Sequence, residues 1–291
     1  MTPLDPDRGT ADLHVHSRCS DGALTPTEVV RLAADRGLRA VALTDHDTID
    51  GNDEAADAGA RFGVEVLAGV EISTHWGGVT FHMLGYGIRP DAPGVRKTFD
   101  FLEESRRTRN PRMVERLQFL GIDITMEEIL GEAAGSLVGR PHFARVLLRK
   151  GVVSSMQEAF DRFLGRGAPA YVNKERLSPA DACRLIATSG GVAVLAHPGL
   201  IDRDYPGRFP GVLQHLLPLG LDGIEAHYSR HSPGETSLYL AVAQHHGLLV
   251  TGGSDFHQQE DTGPDLGVGF GSLRVPYRCF LDLRERLSAA G

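Results

Sequence analysis

Cysteine is almost absent from this chain of 291 residues. Only Cys19, Cys183 and Cys279 occur, far apart and with no C-x-x-C pair. That excludes a disulfide framework and a thiolate zinc site, and makes a reducing cytoplasm the expected setting. Long apolar runs are absent too. Nothing approaches the roughly 18 residues that a membrane span needs. Residues 1–9 lack the apolar centre of a signal peptide and read as a short frayed arm. Positive charge is in deficit, with a formal net charge of −8. A non-specific holder of long nucleic acid carries a basic footprint, so that partner is excluded, and no membrane partner is expected. An anionic ligand must be drawn by local cations or bound metal, which favours a small or short substrate. There is no repeat of 20–50 residues and no low-complexity tract. The remainder, 41% hydrophobic and 23% charged, suits a globular α/β protein of one large barrel or two ordinary domains.

The chain is organised around Asp12-Leu-His-Val-His-Ser-Arg-Cys-Ser-Asp-Gly22. Side chains repeat with period two along a strand, so His14 and His16 point to one face. Two imidazoles at a strand end make half of a metal site, and Asp21 follows closely.

After this motif, Thr25-Pro-Thr-Glu28 forms a capping box with proline at the first helical position. The helix it starts stops at Gly37. A β-like run over 39–44 leads into Asp45-His-Asp-Thr-Ile-Asp-Gly51. A helix over 54–62 follows, then a strand over 64–70 ending in Glu71, and a strand-like run over 79–84 holding His82. This βαβαβ rhythm implies parallel strands with right-handed crossovers. Residues 92–177 break it. They read as helices with Arg-rich surfaces (Arg96, Lys97, Arg106, Arg107, Arg109, Arg112), with Pro111 dividing the first. Helix starts recur at 125–128 and 154–157. The segment is expected to be a small inserted helical domain or lid between barrel parts 10–91 and 178–291. The alternation then resumes: a strand over 191–196 before His197, one over 222–226, and one over 248–252 before Gly253-Ser-Asp-Phe-His257. A last helix spans about 277–289.

Acids and histidines thus fall just after strands, at His14/His16/Asp21, His46, Glu71, His197 and Asp255/His257, with His82 inside its strand. In barrels and open α/β sheets the carboxyl ends of the strands form the active-site face, so these residues are expected to converge. The pieces DLHVHSRCSDG, ALTDHDTIDG, GVEIS, FHMLGYG, LAHPG and GGSDFH together resemble the polymerase and histidinol phosphatase (PHP) superfamily of metal-dependent phosphoesterases. The resemblance implies a distorted (β/α)7 barrel with two to three divalent ions. By motif, one ion takes His14, His16, Glu71 and Asp255. A second shares Glu71 and adds His82 and His197. A third takes Asp21, His46 and His257. Ligands of nitrogen and oxygen alone suit Mn, Fe or Zn. Three divalent ions against three carboxylates leave about +3, which calls for an anion such as phosphate. Bound ions lower the pKa of water toward about 7 and supply a hydroxide nucleophile. His227 and His231 are the candidates for protonating the leaving oxygen.

For substrate, Gly139-Arg-Pro-His-Phe-Ala-Arg145 would open a helix whose N-terminus favours phosphate, with Arg140, His142 and Arg145 on it. Lys174 in Tyr171-Val-Asn-Lys174, Arg230, and Ser17 within the first motif complete the candidate phosphate contacts. GRPHFAR and YVNK resemble a stand-alone PHP subgroup. Its members remove the 3′-phosphate of nucleoside 3′,5′-bisphosphates or trim short 5′-phosphorylated oligoribonucleotides. The expected partner is therefore a small phosphorylated substrate. Related subgroups that cleave cyclic phosphodiesters or histidinol phosphate share the ligand scheme. An amidohydrolase also carries H-x-H, but often with a mid-barrel lysine where this chain has Glu71. A non-catalytic metal-binding module is disfavoured by the full ligand set.

Overall fold

The computed structural model describes residues 9–135, 137–258 and 263–290, of Ala290 the backbone alone. Of the arm expected over 1–9, residues 1–8 lie outside the described residues. The elements are β1 (Thr10–Val15), α1 (Pro26–Asp35), β2 (Ala40–Leu43), α2 (Asn52–Phe62), β3 (Glu65–Trp76), β4 (Val79–Tyr86), α3 (Val95–Phe119), α4 (Met126–Ala133), α5 (Arg140–Arg149), α6 (Met156–Ala159) with a π-helical turn Phe160–Leu164, α7 (Pro179–Thr188), β5 (Val192–Leu195), α8 (Pro198–Asp204), α9 (Phe209–Leu216), β6 (Gly223–Tyr228), α10 (Pro233–His246), β7 (Leu249–Gly253), β8 (Val275–Pro276) and α11 (Tyr277–Ala290). No helix among the described residues is long and apolar enough to cross a membrane.

The strands lie in the order β7-β6-β5-β4-β3-β2-β1-β8. Past the ends of β1 and β7 the sheet closes on itself. Asp255 N–H donates to His14 C=O and His16 N–H to Phe256 C=O, each at 2.9 Å. Gly253 makes that approach possible, since a Cβ there would stand 2.3 Å from the Cβ of His14. The result is the expected distorted α/β barrel, in which the two-residue β8 adds an eighth strand beside β1 to the seven expected. α11 is tied to it by a cluster that joins Leu13, Ala42, Leu84 and Val194 to Tyr277, Phe280 and Leu283.

Three expectations from the sequence need correction. The strands are not all parallel: β4 runs antiparallel to both β3 and β5. The cause is Trp76-Gly-Gly, where Gly77 and Gly78 adopt φ of 57° and 82° and Trp76 pairs with Val79. That is the two-residue hairpin turn that only glycine-like residues accommodate readily. β3 therefore does not end at Glu71 but continues for five residues to Trp76, and the hairpin rises above the rim. The reversal brings His82 opposite Ser73, which accounts for a ligand-type residue inside a strand. Pro111 does not divide a helix either. α3 is continuous over 25 residues, because the exposed proline is flanked by buried anchors: Leu102, Arg106 and Arg109 before it, Met113 and Leu117 after.

The helical segment has its own apolar cluster, including Met113, Leu117, Ile124, Ile129, Phe143, Leu147, Leu164 and Val172. The start expected at 125–128 holds, with a Thr25/Glu28-type box at Thr125/Glu128, whereas the start expected at 154–157 falls one residue later, where Ser155 caps α6 and accepts from Glu158 N–H.

Candidate metal centre

The rim of the barrel gathers all nine ligand-type residues. β1 carries His14 and delivers His16, the following loop Asp21, the loop after β2 His46, β3 Glu71, β4 His82, the start of α8 His197, and the loop after β7 Asp255 and His257. Glu71 is the hub. Its Oε1 lies 2.7 Å from His82 Nδ1 and 2.9 Å from His197 Nε2. Its Oε2 lies 2.9 Å from His46 Nδ1 and 3.3 Å from both His14 Nε2 and His16 Nε2. Three sets have donor atoms within 4.8 Å of one another: His14/His16/Glu71/Asp255, His16/Asp21/His46/His257, and His46/Glu71/His82. The sets overlap more than the motif grouping implied, with His16 and His46 each in two. His82 Nδ1 and His197 Nε2 are 3.3 Å apart, as the second expected set requires.

The donors fit divalent ions on an observation independent of the motif. Among the described residues, the buried atoms without a hydrogen-bond partner include His14 Nε2, both nitrogens of His16, His46 Nδ1 and Glu71 Oε2. Each such orphan costs about 1–3 kcal/mol, and these converge on one volume. Nitrogen and carboxylate oxygen are the donor types that Mn, Fe and Zn accept. Electrostatics keep the carboxylates ionised. Burial alone would raise Glu71, but the imidazoles of His46, His82 and His14 hold it well below the ordinary carboxylate range. Burial is likewise overcome at Asp255 by His14, His16 and His257, and at Asp21 by His46 and His257. Burial pushes His82 down to about 4, whereas at His16 Asp255 and Glu71 overcome burial and lift it to about 10.

A surrounding layer that the sequence reading missed holds these ligands. Asp45 accepts from Ser17 N–H at 2.8 Å and Ser17 Oγ at 2.6 Å. Asp12 accepts from Ser254 N–H and Gly267 N–H. Tyr228 donates to Asp255 Oδ2 at 2.9 Å. Glu225, fully buried in β6, meets His14 and the backbone of His197. The available signal was an acid in an otherwise apolar strand position, Gly-Ile-Glu-Ala. Strain concentrates here: Asp47, His197 and Asp255 have positive φ of 56°, 26° and 59°, each costing about 1–3 kcal/mol.

A family model described as PHP domain matches residues 12–201. The chain belongs to the PHP family. Two curated relatives extend over most of it. A 3′,5′-nucleoside bisphosphate phosphatase of Chromobacterium violaceum is 39% identical, covering 88% of this chain and 90% of that protein. A 5′-3′ exoribonuclease of Haemophilus influenzae is 36% identical, covering 84% and 89%. A crystal structure from Bifidobacterium adolescentis, described as a metal-dependent phosphoesterase, superposes with a TM-score of 0.86 at 31% identity, covering 97% of this chain and 98% of that one.

Beside the PHP cluster lies a cavity of about 300 Å³. His46, His82, His197, His257 and Asp21 line one part of it, and Arg106, Arg109, Arg140, Lys174 and Arg176 another. Arg106 and Arg109 were expected on a solvated surface but are 6% and 4% exposed. The phase of α3 turns Leu102, Arg106, Arg109 and Met113 to the same buried face. Asp47 is the acid that ties this group to the barrel. It accepts from Arg106 at 2.5 Å, from Lys174, and from Ser73 N–H at 2.8 Å. Burial, with Arg106, Arg140 and Arg176 beside it, holds Arg109 well below the ordinary guanidinium range. Positive charge is therefore in excess there.

Several proposed contacts take other positions. Ser17 is buried, its hydroxyl committed to Asp45, so it holds a loop rather than a phosphate. Arg145 pairs with Glu132 and donates to Asp21 C=O, and it does not line the cavity. Arg230 is exposed with its guanidinium 5.6 Å over Phe270. His142 accepts the Gly139 N–H through Nδ1, and burial pushes it down to about 4, so it is a neutral helix cap and not a cation. His231 has both ring nitrogens engaged by backbone, Nδ1 with Ala226 C=O and Nε2 with Gly199 N–H, which leaves it no proton to give. His227 pairs with Gly252 through the β6–β7 ladder, but its side chain makes no hydrogen bond or ring contact among the described residues and does not line the cavity.

Proposed function

We propose that this PHP protein is a metal-dependent phosphoesterase for nucleotides carrying two phosphates or short RNA with a 5′-phosphate. It removes the 3′-phosphate of nucleoside 3′,5′-bisphosphates and trims short 5′-phosphorylated oligoribonucleotides. The nine rim residues would hold two to three divalent ions, Mn, Fe or Zn. Such ions supply a hydroxide near neutral pH and neutralise charge growing on the phosphoryl oxygens. The carrying observation is the cavity that joins the rim to five cations. One phosphate at the rim leaves room for a second among Arg109, Arg140, Lys174 and Arg176, where guanidinium forks suit its oxygens.

Within that reading, Glu71, Asp255 and the imidazoles hold the reacting phosphate's surroundings fixed. Tyr228 keeps Asp255 oriented. Segment 92–177 is an inserted unit that covers the nucleotide and excludes water. The reaction adds water across one P–O bond and leaves inorganic phosphate and the nucleoside 5′-monophosphate. The three free thiols support a reducing, cytoplasmic setting.

The test is phosphate release from adenosine 3′,5′-bisphosphate by purified protein with Mn²⁺. Release with accumulation of the 5′-monophosphate is expected. Release from histidinol phosphate but not from nucleotides would overturn the substrate assignment.

A further inference from the structure

Resting on the metal-centre reading, we infer that Glu225 is a positioning residue that fixes two metal ligands at once: the tautomer of His14 and the backbone of His197. Glu225 is fully buried in β6 and belongs to none of the converging donor sets. Its Oε1 lies 3.0 Å from His14 Nδ1. Its Oε2 accepts the backbone N–H of His197 at 2.6 Å.

The consequences follow from donor and acceptor roles. An ionised carboxylate only accepts, so Nδ1 of His14 must carry the hydrogen. The lone pair is then left on Nε2. That atom is buried and without a hydrogen-bond partner, 3.3 Å from Glu71 Oε2 and 3.6 Å from Asp255 Oδ1. His197 sits at φ 26°, ψ 60°, a backbone that a residue with a Cβ rarely adopts. The short bond that its N–H donates to Glu225 holds it there. Its imidazole thereby reaches Glu71 Oε1 at 2.9 Å. One carboxylate in β6 sets ligands that come from β1 and from the start of α8, on the two oxygens of Glu71.

Glutamine separates charge from shape. It fills the same volume, but one of its two ends is a donor. If the amide NH₂ faces His14, Nδ1 must accept and the hydrogen moves to Nε2, blocking the lone pair. If it faces His197, two N–H groups oppose each other at 2.6 Å. Aspartate keeps two acceptors but is one methylene shorter.

The experiment measures Zn²⁺ affinity and ions bound per chain by chelator competition for the wild type, Glu225→Gln and Glu225→Asp. The circular dichroism of the metal-free proteins is recorded alongside. Expected is a metal-free Glu225→Gln chain with the wild-type spectrum, at least about tenfold weaker zinc binding and fewer ions per chain, with part recovered in Glu225→Asp. Wild-type affinity and stoichiometry in Glu225→Gln would overturn the inference alone. Zinc loss that accompanies loss of the native spectrum in both variants would make Glu225 a packing residue and also overturn it. A wild-type protein that takes up no zinc would remove the metal-centre reading and this inference together.

Discussion

The barrel rim and the helical segment beside it build one cavity from different side chains and by different means. The rim contributes carboxylates and imidazoles from residues at or next to strand ends. Their positions follow from sheet pairing, closed by the β1–β7 backbone bonds. The helical segment contributes Arg106, Arg109, Arg140, Lys174 and Arg176, from one face of α3, the start of α5 and an irregular stretch. Asp47 alone among the acids bonds directly to both Arg106 and Lys174 within the described residues. Under the proposed function, the division assigns breaking the P–O bond to the rim and choosing the molecule that carries it to the helical segment.

The comparison breaks hardest at the rim. Asp255→Asn or His197→Ala should lower phosphate release at least about a thousandfold, read as kcat at saturating Mn²⁺ and bisphosphate. Asp47→Ala strikes the joint. It leaves Lys174 and Arg106 buried without their acid, and the chain should lose about 3–5 kcal/mol of stability by chemical denaturation. Arg109→Met and Lys174→Met should raise KM for adenosine 3′,5′-bisphosphate about 10–100-fold, with kcat changed only a few-fold. Their effect should vanish for a substrate without the second phosphate. A fall in kcat instead would merge the two regions into one.

Acidification titrates both sides, since His82 on the rim and His142 on the helical side are each pushed down to about 4, and the His142→Gln variant isolates the helical share. The folded pKa of His142, about 4, lies below its ordinary 6.5, so the unfolded chain binds a proton before the native one does. That contribution to stability is complete above pH 6.5 and is lost as pH falls toward 4. Denaturation of the metal-free protein at pH 7 and pH 4.5 should show a drop that is smaller in His142→Gln by on the order of 1–3 kcal/mol. Smallest of all, Arg145→Ala and Arg230→Ala should leave KM within about twofold, because neither side chain lines the cavity; a larger rise would restore the phosphate role that their positions argue against.

The contrast also explains what could be read from the chain. Ligands next to strand ends were legible because period two and the strand-end rule fix where His14, His16, His197 and Asp255 go. The paired glycines of Trp76-Gly77-Gly78 are a turn signal in themselves, but the consequence, a reversed β4, depends on pairing over eight residue pairs. Arg106 and Arg109 looked like solvated charge because they interrupt the apolar stripe Val95, Phe99, Leu102, Met113 and Leu117 whose buried face they share. Glu225 and Asp45 act one contact away from the cluster: Asp45 has no local mark that separates it from a surface acid, and Glu225 shows only as an acid among apolar strand residues. His231 seemed free to donate a proton until the backbone of Gly199 and Ala226 was placed around it.

The most direct measurement is an anomalous-scattering map from crystals of the wild-type protein loaded with Mn²⁺. Two or three peaks bonded to Glu71, His14, His16, His46, His82, His197, Asp21, Asp255 and His257 are expected. Manganese bound only elsewhere on the chain, with Glu71 free of metal, would contradict the account.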